Sequence, residues 1–271
     1  MGDVWATVGD ADEATQAMLA DAMVQRGEDP DFTALRETYF QWLPPLVDGD
    51  VIEMGCGPGD VTAALATHCG ARTAIGIDPS PVMIERAKVR HAGKAGLSFA
   101  VGDARNTDLP DASTDLILFH TTLCHVPGPE AALAEVMRLL RPGGWLVVFD
   151  GDYASATAAL SRRDPIDQVI QKAGDELIHD RYFCRSLPAL LRAAGLQLAR
   201  YEVLNYLASG NAAFFLSLLD RGLIFLQQDG LCGPDSAKAL RAEADARIAS
   251  GRFFGFTAFH AAFARKQEAQ I

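Results

Sequence analysis

The sequence lacks a long apolar run, a cluster of basic residues and any pair of cysteines at metal-binding spacing. No stretch approaches the roughly 18 apolar residues that a membrane-spanning helix needs, and the five cysteines are scattered. Lys and Arg number 24 against 35 Asp and Glu, which gives a net charge of -11. Because nucleic-acid binding relies on clustered basic residues, we expect no nucleic-acid partner. The lack of long apolar runs and of paired cysteines predicts that the protein has no membrane or metal partner. We expect a cytoplasmic protein.

What is present is a glycine-rich turn after a short apolar run. Residues 51–60 read Val-Ile-Glu-Met-Gly-Cys-Gly-Pro-Gly-Asp, and an amphipathic stretch follows at once. This order predicts a strand, a tight turn and a helix. Glycine has no Cβ, so the backbone of such a turn can lie flat against a ligand. Glu53 stands at the carboxyl end of the strand, where open α/β sheets bind ligands.

The glycine spacing separates two ligand classes that use such a turn, although the pattern alone also fits an ordinary strand-to-helix connection. In the dinucleotide-binding fingerprint the third glycine lies three positions after the second. Here that position holds Asp60, whose carboxylate would repel a pyrophosphate at the helix start, and Glu53 adds a second negative charge. The turn therefore favours a cation or zwitterion such as S-adenosylmethionine (SAM) over NAD.

Two further apolar runs each end in an acidic residue. Residues 73–77 lead to Asp78, at about the distance where a second strand delivers an acid to a ribose diol. Residues 97–102 lead to Asp103, whose carboxylate can accept a hydrogen bond from an adenine amino group. Because ligands bind at the carboxyl ends of parallel strands, these two acids and Glu53 are predicted to share one site.

These motifs resemble the SAM site of the class I methyltransferases, and Leu140-Arg141-Pro142-Gly143-Gly144, before a fifth strand, strengthens the resemblance. It covers roughly Leu43 to Asp150. The resemblance implies an α/β fold with a Rossmann-like, seven-stranded, mostly parallel sheet, an antiparallel last strand and helices on both faces. The domain limits that we predict are an N-terminal helical cover at 1–45, a SAM-binding core at 46–205, a helical insertion acting as a substrate lid at 206–251, and the last strand and tail at 252–271.

The resemblance also assigns cofactor contacts along the strand ends. They are Glu53, Gly55, Cys56, Gly57, Gly59, Asp78, Pro79, Met83, Asp103, Ala104, Arg105 and His120. The helix predicted over residues 31–42 is placed near the methionine end of SAM, so we predict that Arg36 and Tyr39 contact the SAM carboxylate. The alternative for Met83, Arg36 and Tyr39 is packing alone, because amphipathic helices mostly bury one apolar face.

Methyl transfer from SAM mainly needs acceptor and methyl group to be held together, so a catalytic base is optional. A base would lie at the carboxyl ends of strands four and five. The candidates are His125, His120 and Asp150, followed by Asp152, Tyr153, Tyr182 and Cys184. A histidine there can equally be structural, and Asp150-Gly151-Asp152 is interpreted as a solvated turn rather than a Mg²⁺ site.

The segment between the last two strands is the predicted source of substrate specificity. Its apolar positions are Phe214, Phe215, Leu218, Leu219, Leu223, Ile224, Phe225 and Leu226. This is more apolar surface than one buried helix face requires, so some of these side chains are expected to face a lid, a partner or a pocket.

The sequence thus predicts an enzyme that methylates an O, N or C atom of a small molecule, similar to the quinone-biosynthesis and natural-product branch of the family. No Asn/Asp-Pro-Pro-Tyr sequence follows strand four, which argues against methylation of nucleobases. The alternatives are a cyclase or decarboxylase that binds SAM without transferring methyl, a non-catalytic SAM-binding subunit and, last, an NAD-dependent reductase. A homodimer is left open.

Overall fold

The apolar runs of the sequence form one sheet. The computed structural model describes residues 3–46, 48–208 and 212–268. Within these ranges the strands are β1 (Asp50–Met54), β2 (Thr73–Asp78), β3 (Leu97–Val101), β4 (Thr114–His120), β5 (Leu140–Thr157), β6 (Leu196–Ala208) and β7 (Gly255–Lys266). All five residues of β1 are buried, as expected for a parallel strand covered on both faces.

The strand order places a crevice beside β1. The order is β3-β2-β1-β4-β5-β7-β6, in which β1 pairs in parallel with β2 and β4, and β7 pairs antiparallel with β5 and β6. The predicted Rossmann-like, seven-stranded, mostly parallel sheet with an antiparallel last strand is therefore confirmed. Because the chain direction of the crossovers reverses between β1 and β4, ligands are expected above the carboxyl ends of these strands.

Helices cover the sheet and begin at recognisable signals. They are α1 (Glu13–Gly27), α2 (Pro30–Phe40), α3 (Asp60–Cys69), α4 (Pro81–Arg90), α5 (Pro129–Leu139), α6 (Pro165–Leu177), α7 (Phe183–Ala193), α8 (Ala213–Gln228) and α9 (Pro234–Ala249). Asp12, Ser80 and Asp164 cap the helices that follow them by accepting hydrogen bonds from backbone N–H groups of the first turn. In the described residues, no helix combines the length and apolar character needed to cross a membrane.

The fifth strand is longer than expected, and this corrects one prediction. The prediction of a solvated turn at Asp150-Gly151-Asp152 is wrong, because β5 continues to Thr157. The pairing of β5 with β7 places Asp150 opposite His260. Asp150 is fully buried and Asp152 is 7% exposed. Two carboxyl groups can be buried here because each has a hydrogen-bonding partner, as described below.

The helical segment before the last strand occupies the predicted place. α8 and α9 lie between β6 and β7 in the chain, and α8 packs against α6. The four domain limits given above stay predictions. Parts of them fall on residues 1–2, 47, 209–211 and 269–271, which lie outside the described residues.

At the amino end of β1, Asp50 forms ion pairs and hydrogen bonds with neighbouring side chains. Asp50 accepts hydrogen bonds from Arg72 Nη2 at 2.5 Å, Arg141 Nη2 at 2.9 Å and Thr73 Oγ1 at 2.6 Å. Burial alone would raise the pKa of this carboxyl group, but the hydrogen bonds from Thr73, Arg72 and Arg141 lower it to about 2. The ionised carboxylate of Asp50 thus connects β1 to Arg72, Thr73 and Arg141.

Candidate functional site

A cavity of about 320 Å³ opens above the carboxyl ends of the central strands. Two sets of residues line it. The turn half comes from the turns after β1, β2 and β3, and the helical half comes from residues 5–8, α1, α2 and α8 together with Tyr153, Leu177 and Ile178. Residues 120–127, which follow β4, contribute His120, Thr121, Thr122, His125, Val126 and Pro127. The volume is within the range of small-molecule sites.

In the turn half, the glycine-rich segment is held against β2 by its own backbone. The N–H groups of Gly55 and Cys56 both donate to the carbonyl oxygen of Ile77, at 2.7 and 3.0 Å. Gly55 has a φ of 73°, and a Cβ there would collide with the side chain of Thr122. Only glycine fits this position. Gly55, Cys56 and Gly57 all line the cavity, as predicted for cofactor contacts.

The third glycine has a packing role instead. Gly59 directly precedes α3 with a φ of 85°, and a Cβ there would lie 2.5 Å from the ring of Phe99 on β3. Gly59 is not part of the cavity lining. The structure therefore does not bring this predicted residue to the site, because it is needed for the close approach of helix and sheet.

Glu53 lines the cavity without a basic partner. It is 1% exposed, and Thr62 Oγ1 donates a hydrogen bond to its Oε2 at 2.5 Å. Burial raises the pKa of Glu53 to about 8, and the nearby charge of Asp78 contributes to the rise. Among the residues that the structure describes, no Lys, Arg or His forms an ion pair with it. A bound cation would stabilise the ionised carboxylate.

Asp78 joins the turns after β1 and β2 and still has acceptor capacity. Its Oδ2 accepts from the N–H of Gly57 and its Oδ1 from the N–H of Ser80, each at 2.9 Å. Burial raises its pKa to about 6, so the carboxyl group is mostly ionised at neutral pH. A carboxylate offers about four acceptor positions. Two therefore remain for the hydroxyl groups of a ligand.

The end of β3 contributes a half-exposed acid. Arg105 binds Asp103 with its backbone N–H at 2.8 Å and its Nη2 at 2.7 Å, and the hydrogen bonds from Arg105 lower the pKa of Asp103. Both residues line the cavity. The remaining predicted contacts of this half, Pro79, Met83 and Ala104, line it as well.

The two residues predicted on α2 have different surroundings. Arg36 lines the cavity, where its charge lowers the pKa of Glu53. Tyr39 is fully buried, stacks on Phe149, and its hydroxyl group lies 2.8 Å from Nδ1 of His120. Tyr39 does not line the cavity, because its ring fills the core beneath it. Its predicted contact with a carboxylate is not supported by this position.

The two candidate histidines differ in the partner of Nδ1. His120 lines the cavity but shares its Nδ1 with Tyr39, and burial lowers its pKa well below the ordinary range, so its ring is neutral. His125 Nδ1 lies 2.7 Å from Oδ2 of Asp3, which also accepts from the N–H of His179 at 2.8 Å. His125 therefore has a carboxylate that orients its ring, as bases in enzymes often have. Sequence reasoning missed Asp3, because 122 residues separate the pair.

The other candidate bases are mostly remote from the cavity. Asp150 is not part of the lining; its Oδ2 accepts from the N–H of Cys124 at 3.1 Å and its Oδ1 from that of Gly151 at 2.9 Å. Its predicted catalytic role is not supported, because it is a buried structural acceptor. Asp152 binds Arg185, and Tyr182 and Cys184 also lie outside the lining. Tyr153 does line the cavity.

The helical half also holds residues that had no predicted role in cofactor binding or catalysis. They are Trp5, Arg26, Asp29, Phe32, Leu177, Ile178, Phe214, Ser217, Leu218 and Arg221. The α8 members recur at the spacing of one helix face. The excess of apolar residues between the last two strands was the sequence signal for this part of the cavity. Of the apolar positions named there, Phe214 and Leu218 line the cavity. The charged members gave no signal, because arginines on a helix are usually solvated.

Comparison with known proteins identifies the central part of the chain. Residues 52–148 match a family described as "Methyltransferase domain". Trans-aconitate 2-methyltransferase from Methylobacterium radiotolerans is 39% identical over 97 residues, covering 36% of each chain. Phthiotriol/phenolphthiotriol dimycocerosates methyltransferase from Mycobacterium tuberculosis is 32% identical over 173 residues, covering 56% of this chain and 63% of that protein.

Structural similarity extends over more of the chain. A candidate methyltransferase from Bacillus halodurans superposes with a TM-score of 0.60 at 16% identity, covering 86% of this chain and 98% of that one. At such identity the match concerns the fold. The chain spans between 32% and 42% of the length of several curated relatives, so the shared region is the central domain.

Proposed function

We propose that this chain is a class I SAM-dependent methyltransferase, as its sequence motifs predict, and that it transfers a methyl group from SAM to a small-molecule acceptor. The observation that carries the proposal is the unpaired Glu53, which lines the cavity within the same turn region as Asp78. A buried carboxyl group without a basic partner fits a ligand that brings its own positive charge. The pyrophosphate of NAD would instead add negative charge.

The turn half, together with Arg36 of the helical half, offers a partner for each part of the cofactor. We assign the ribose hydroxyls to Asp78, whose two spare acceptor positions suit a diol. The adenine is assigned to the surface formed by Pro79, Met83 and Ala104 beside Asp103. The methionine ammonium is assigned to the Glu53 region and the methionine carboxylate to Arg36. When bound, SAM supplies a methyl group on a sulfonium that is already a good leaving group.

The chain's own contribution to the reaction is placement and, for acidic acceptors, proton removal. Residues of the helical half hold the acceptor and exclude water, and correct placement alone is worth about 7 to 11 kcal/mol. We propose His125 as the base, because Asp3 occupies its Nδ1 and leaves Nε2 for the acceptor. Asp3 is then a positioning residue, which fixes the tautomer and the orientation of the ring.

We also propose that the acceptor is a small molecule rather than a nucleic acid. The net charge of -11 disfavours a polyanionic partner, and the cavity is lined with apolar and aromatic side chains. The relatives named above are described as acting on trans-aconitate and on phthiotriol lipids. A cytoplasmic location and a homodimer stay predictions.

The proposal is tested by incubating the protein with SAM and a panel of small acceptors and measuring S-adenosylhomocysteine by mass spectrometry. We expect equal amounts of S-adenosylhomocysteine and methylated product. Conversion of an acceptor without S-adenosylhomocysteine would instead identify a cyclase or decarboxylase. Stabilisation by SAM with no turnover of any acceptor would favour a non-catalytic subunit, and binding of NAD but not SAM would refute the family's cofactor here.

The role of His125 is tested by His125→Ala with an acceptor found in that panel. We expect kcat to fall by about 100-fold, while the affinity for SAM, measured by calorimetry, stays unchanged. Asp3→Asn should lower kcat less and change its pH profile, since the ring is still present but less well oriented. An unchanged kcat in His125→Ala would mean that placement alone suffices.

A further inference from the structure

The helical half of the cavity contains two arginines that form no ion pair among the described residues. Arg26 near the end of α1 and Arg221 on α8 both line this half. Neither forms an ion pair with an Asp or Glu in the part of the chain that the structure describes. Arg36, the third arginine of the helical half, is already assigned to the cofactor carboxylate.

Arg26 presents a buried donor without an acceptor. Its Nη2 is inaccessible to solvent and has no hydrogen-bond partner among the described residues. The guanidinium carbon lies 4.3 Å from the ring centroid of Phe32 and 5.6 Å from that of Phe214. A buried unpaired donor on a charged group is costly. A ligand that supplies the acceptor would remove this cost.

Arg221 is placed on the same face of α8 as the apolar lining. Phe214, Ser217, Leu218 and Arg221 all line the cavity and follow the spacing of one helix face. Burial lowers the pKa of the Arg221 guanidinium, and no acidic neighbour offsets this effect. The guanidinium group of Arg221 is therefore partly removed from solvent, and no ion pair with a described residue offsets the cost.

Other arginines of the same region show the usual arrangement. Arg241 on α9 is paired with Asp220 and Asp245, and Arg247 on α9 is paired with Asp164. The acid nearest in sequence to Arg26 is Asp29, whose carboxylate caps α2 by accepting from the N–H groups of Asp31 and Phe32. The two arginines of α9 are thus paired with acids, whereas Arg26 and Arg221 of the cavity lining form no ion pair among the described residues.

We propose that the methyl acceptor is an organic anion, with a carboxylate or phosphate group bound by Arg221 and Arg26 and an apolar body packed against Phe32, Phe214 and Leu218. This rests on the proposed function, since it names the substrate class of the same site. Guanidinium groups bind both anions through paired hydrogen bonds and stack on aromatic rings. The opposite charges of the two halves then direct SAM and acceptor to different ends of one cavity.

The test measures binding of small probes by calorimetry to protein saturated with S-adenosylhomocysteine at pH 7.5. The probes are benzoate and phenyl phosphate, with benzamide as the neutral counterpart of the same shape. We expect one of the anions to bind about tenfold or more tightly than benzamide. The comparison of benzoate with phenyl phosphate identifies which anion the site takes.

Three variants connect this preference to the arginines. Arg221→Gln and Arg26→Gln should each abolish the preference for the anion, and Arg221→Lys should retain part of it because it keeps the charge. Arg241→Gln, which removes an ion-paired arginine outside the lining, is the matched control and should bind like the wild type. Arg221→Gln should also raise the melting temperature of the ligand-free protein, whereas a purely structural arginine would lower it.

The outcomes separate this inference from the proposed function. Protein that fails to bind S-adenosylhomocysteine refutes both. Protein that binds it but prefers neither anion to benzamide, or keeps its preference in Arg221→Gln and Arg26→Gln, overturns only the anionic acceptor.

Discussion

The two ends of β1 carry acidic residues that differ sharply although only two positions separate them. Asp50, at the amino end, is paired with Arg72 and Arg141, and hydrogen bonds lower its pKa to about 2. Glu53, near the carboxyl end, has a hydroxyl group as its partner, and burial raises its pKa to about 8. Both side chains are buried.

This difference separates a structural role from a binding role. The amino end is complete without a ligand, because its charges cancel. The carboxyl end holds a buried acid that forms no ion pair among the described residues, and it lies where open α/β sheets bind ligands. A strongly raised pKa in a cavity is a property typical of functional sites. Three predictions follow from the comparison, in order of expected effect.

Replacing Asp78 by alanine should have the largest effect, because it removes the second acid of the carboxyl end. The change deletes the acceptor that we propose for the ribose hydroxyls, and this same carboxylate accepts from the N–H groups of Gly57 and Ser80. The affinity for SAM, measured by calorimetry, should fall about 100-fold or more, equivalent to about 2.7 kcal/mol. A variant that binds SAM with wild-type affinity would remove the end of β2 from the site.

Replacing Glu53 by glutamine should stabilise the ligand-free protein while weakening the site. The folded-state pKa of about 8 lies above the ordinary value of 4.5, so the folded protein binds the extra proton. The free energy of unfolding therefore decreases as pH rises from about 4.5 to about 8. Glu53→Gln has no ionisable group at this position, so its free energy of unfolding should not decrease in this way. It should be more stable than the wild type at pH 8 by roughly 2 kcal/mol or more.

Urea denaturation at pH 5 and pH 8 measures this difference, and the gain should be confined to the higher pH. The affinity of Glu53→Gln for SAM should fall by about tenfold, since the carboxylate no longer attracts the ammonium. Equal pH dependence in variant and wild type would show that Glu53 is not the group that titrates.

Replacing Asp50 by asparagine should have the smallest effect. It should destabilise the protein, whereas Glu53→Gln should stabilise it. The folded-state pKa of about 2 lies below the ordinary value of 3.8, so the stabilisation is present above about pH 4 and is lost as pH falls towards 2. We expect a loss of about 1 kcal/mol in unfolding free energy at pH 7, because its partners are partly exposed. SAM affinity should not change; a reduced affinity would contradict the separation of roles.

The turn half of the site was predictable because it is local in sequence. Each acid follows an apolar run by a fixed spacing, and parallel pairing brings Glu53, Asp78 and Asp103 to one edge of the sheet. The strand pattern predicted the sheet for the same reason. Two predicted contacts do not line the cavity, because tertiary packing decides their positions: the backbone of Gly59 lies against Phe99, and Tyr39 fills the core.

The helical half was not predictable at the level of residues. Asp3 and His125 lie 122 positions apart, and no spacing rule connects them. Arg26 and Arg221 resemble solvated helix residues until the fold places them in one cavity. Our proposal rests on their lack of an ion pair among the described residues, which only the folded arrangement can show.

The most direct test of the account is a crystal structure of the protein with S-adenosylhomocysteine. We expect the nucleoside to occupy the turn half, with ribose hydroxyls within hydrogen-bonding distance of Asp78 and the amino group of the homocysteine part towards Glu53. Electron density for the ligand in the helical half or outside the cavity, with Asp78 making no contact to it, would contradict the account.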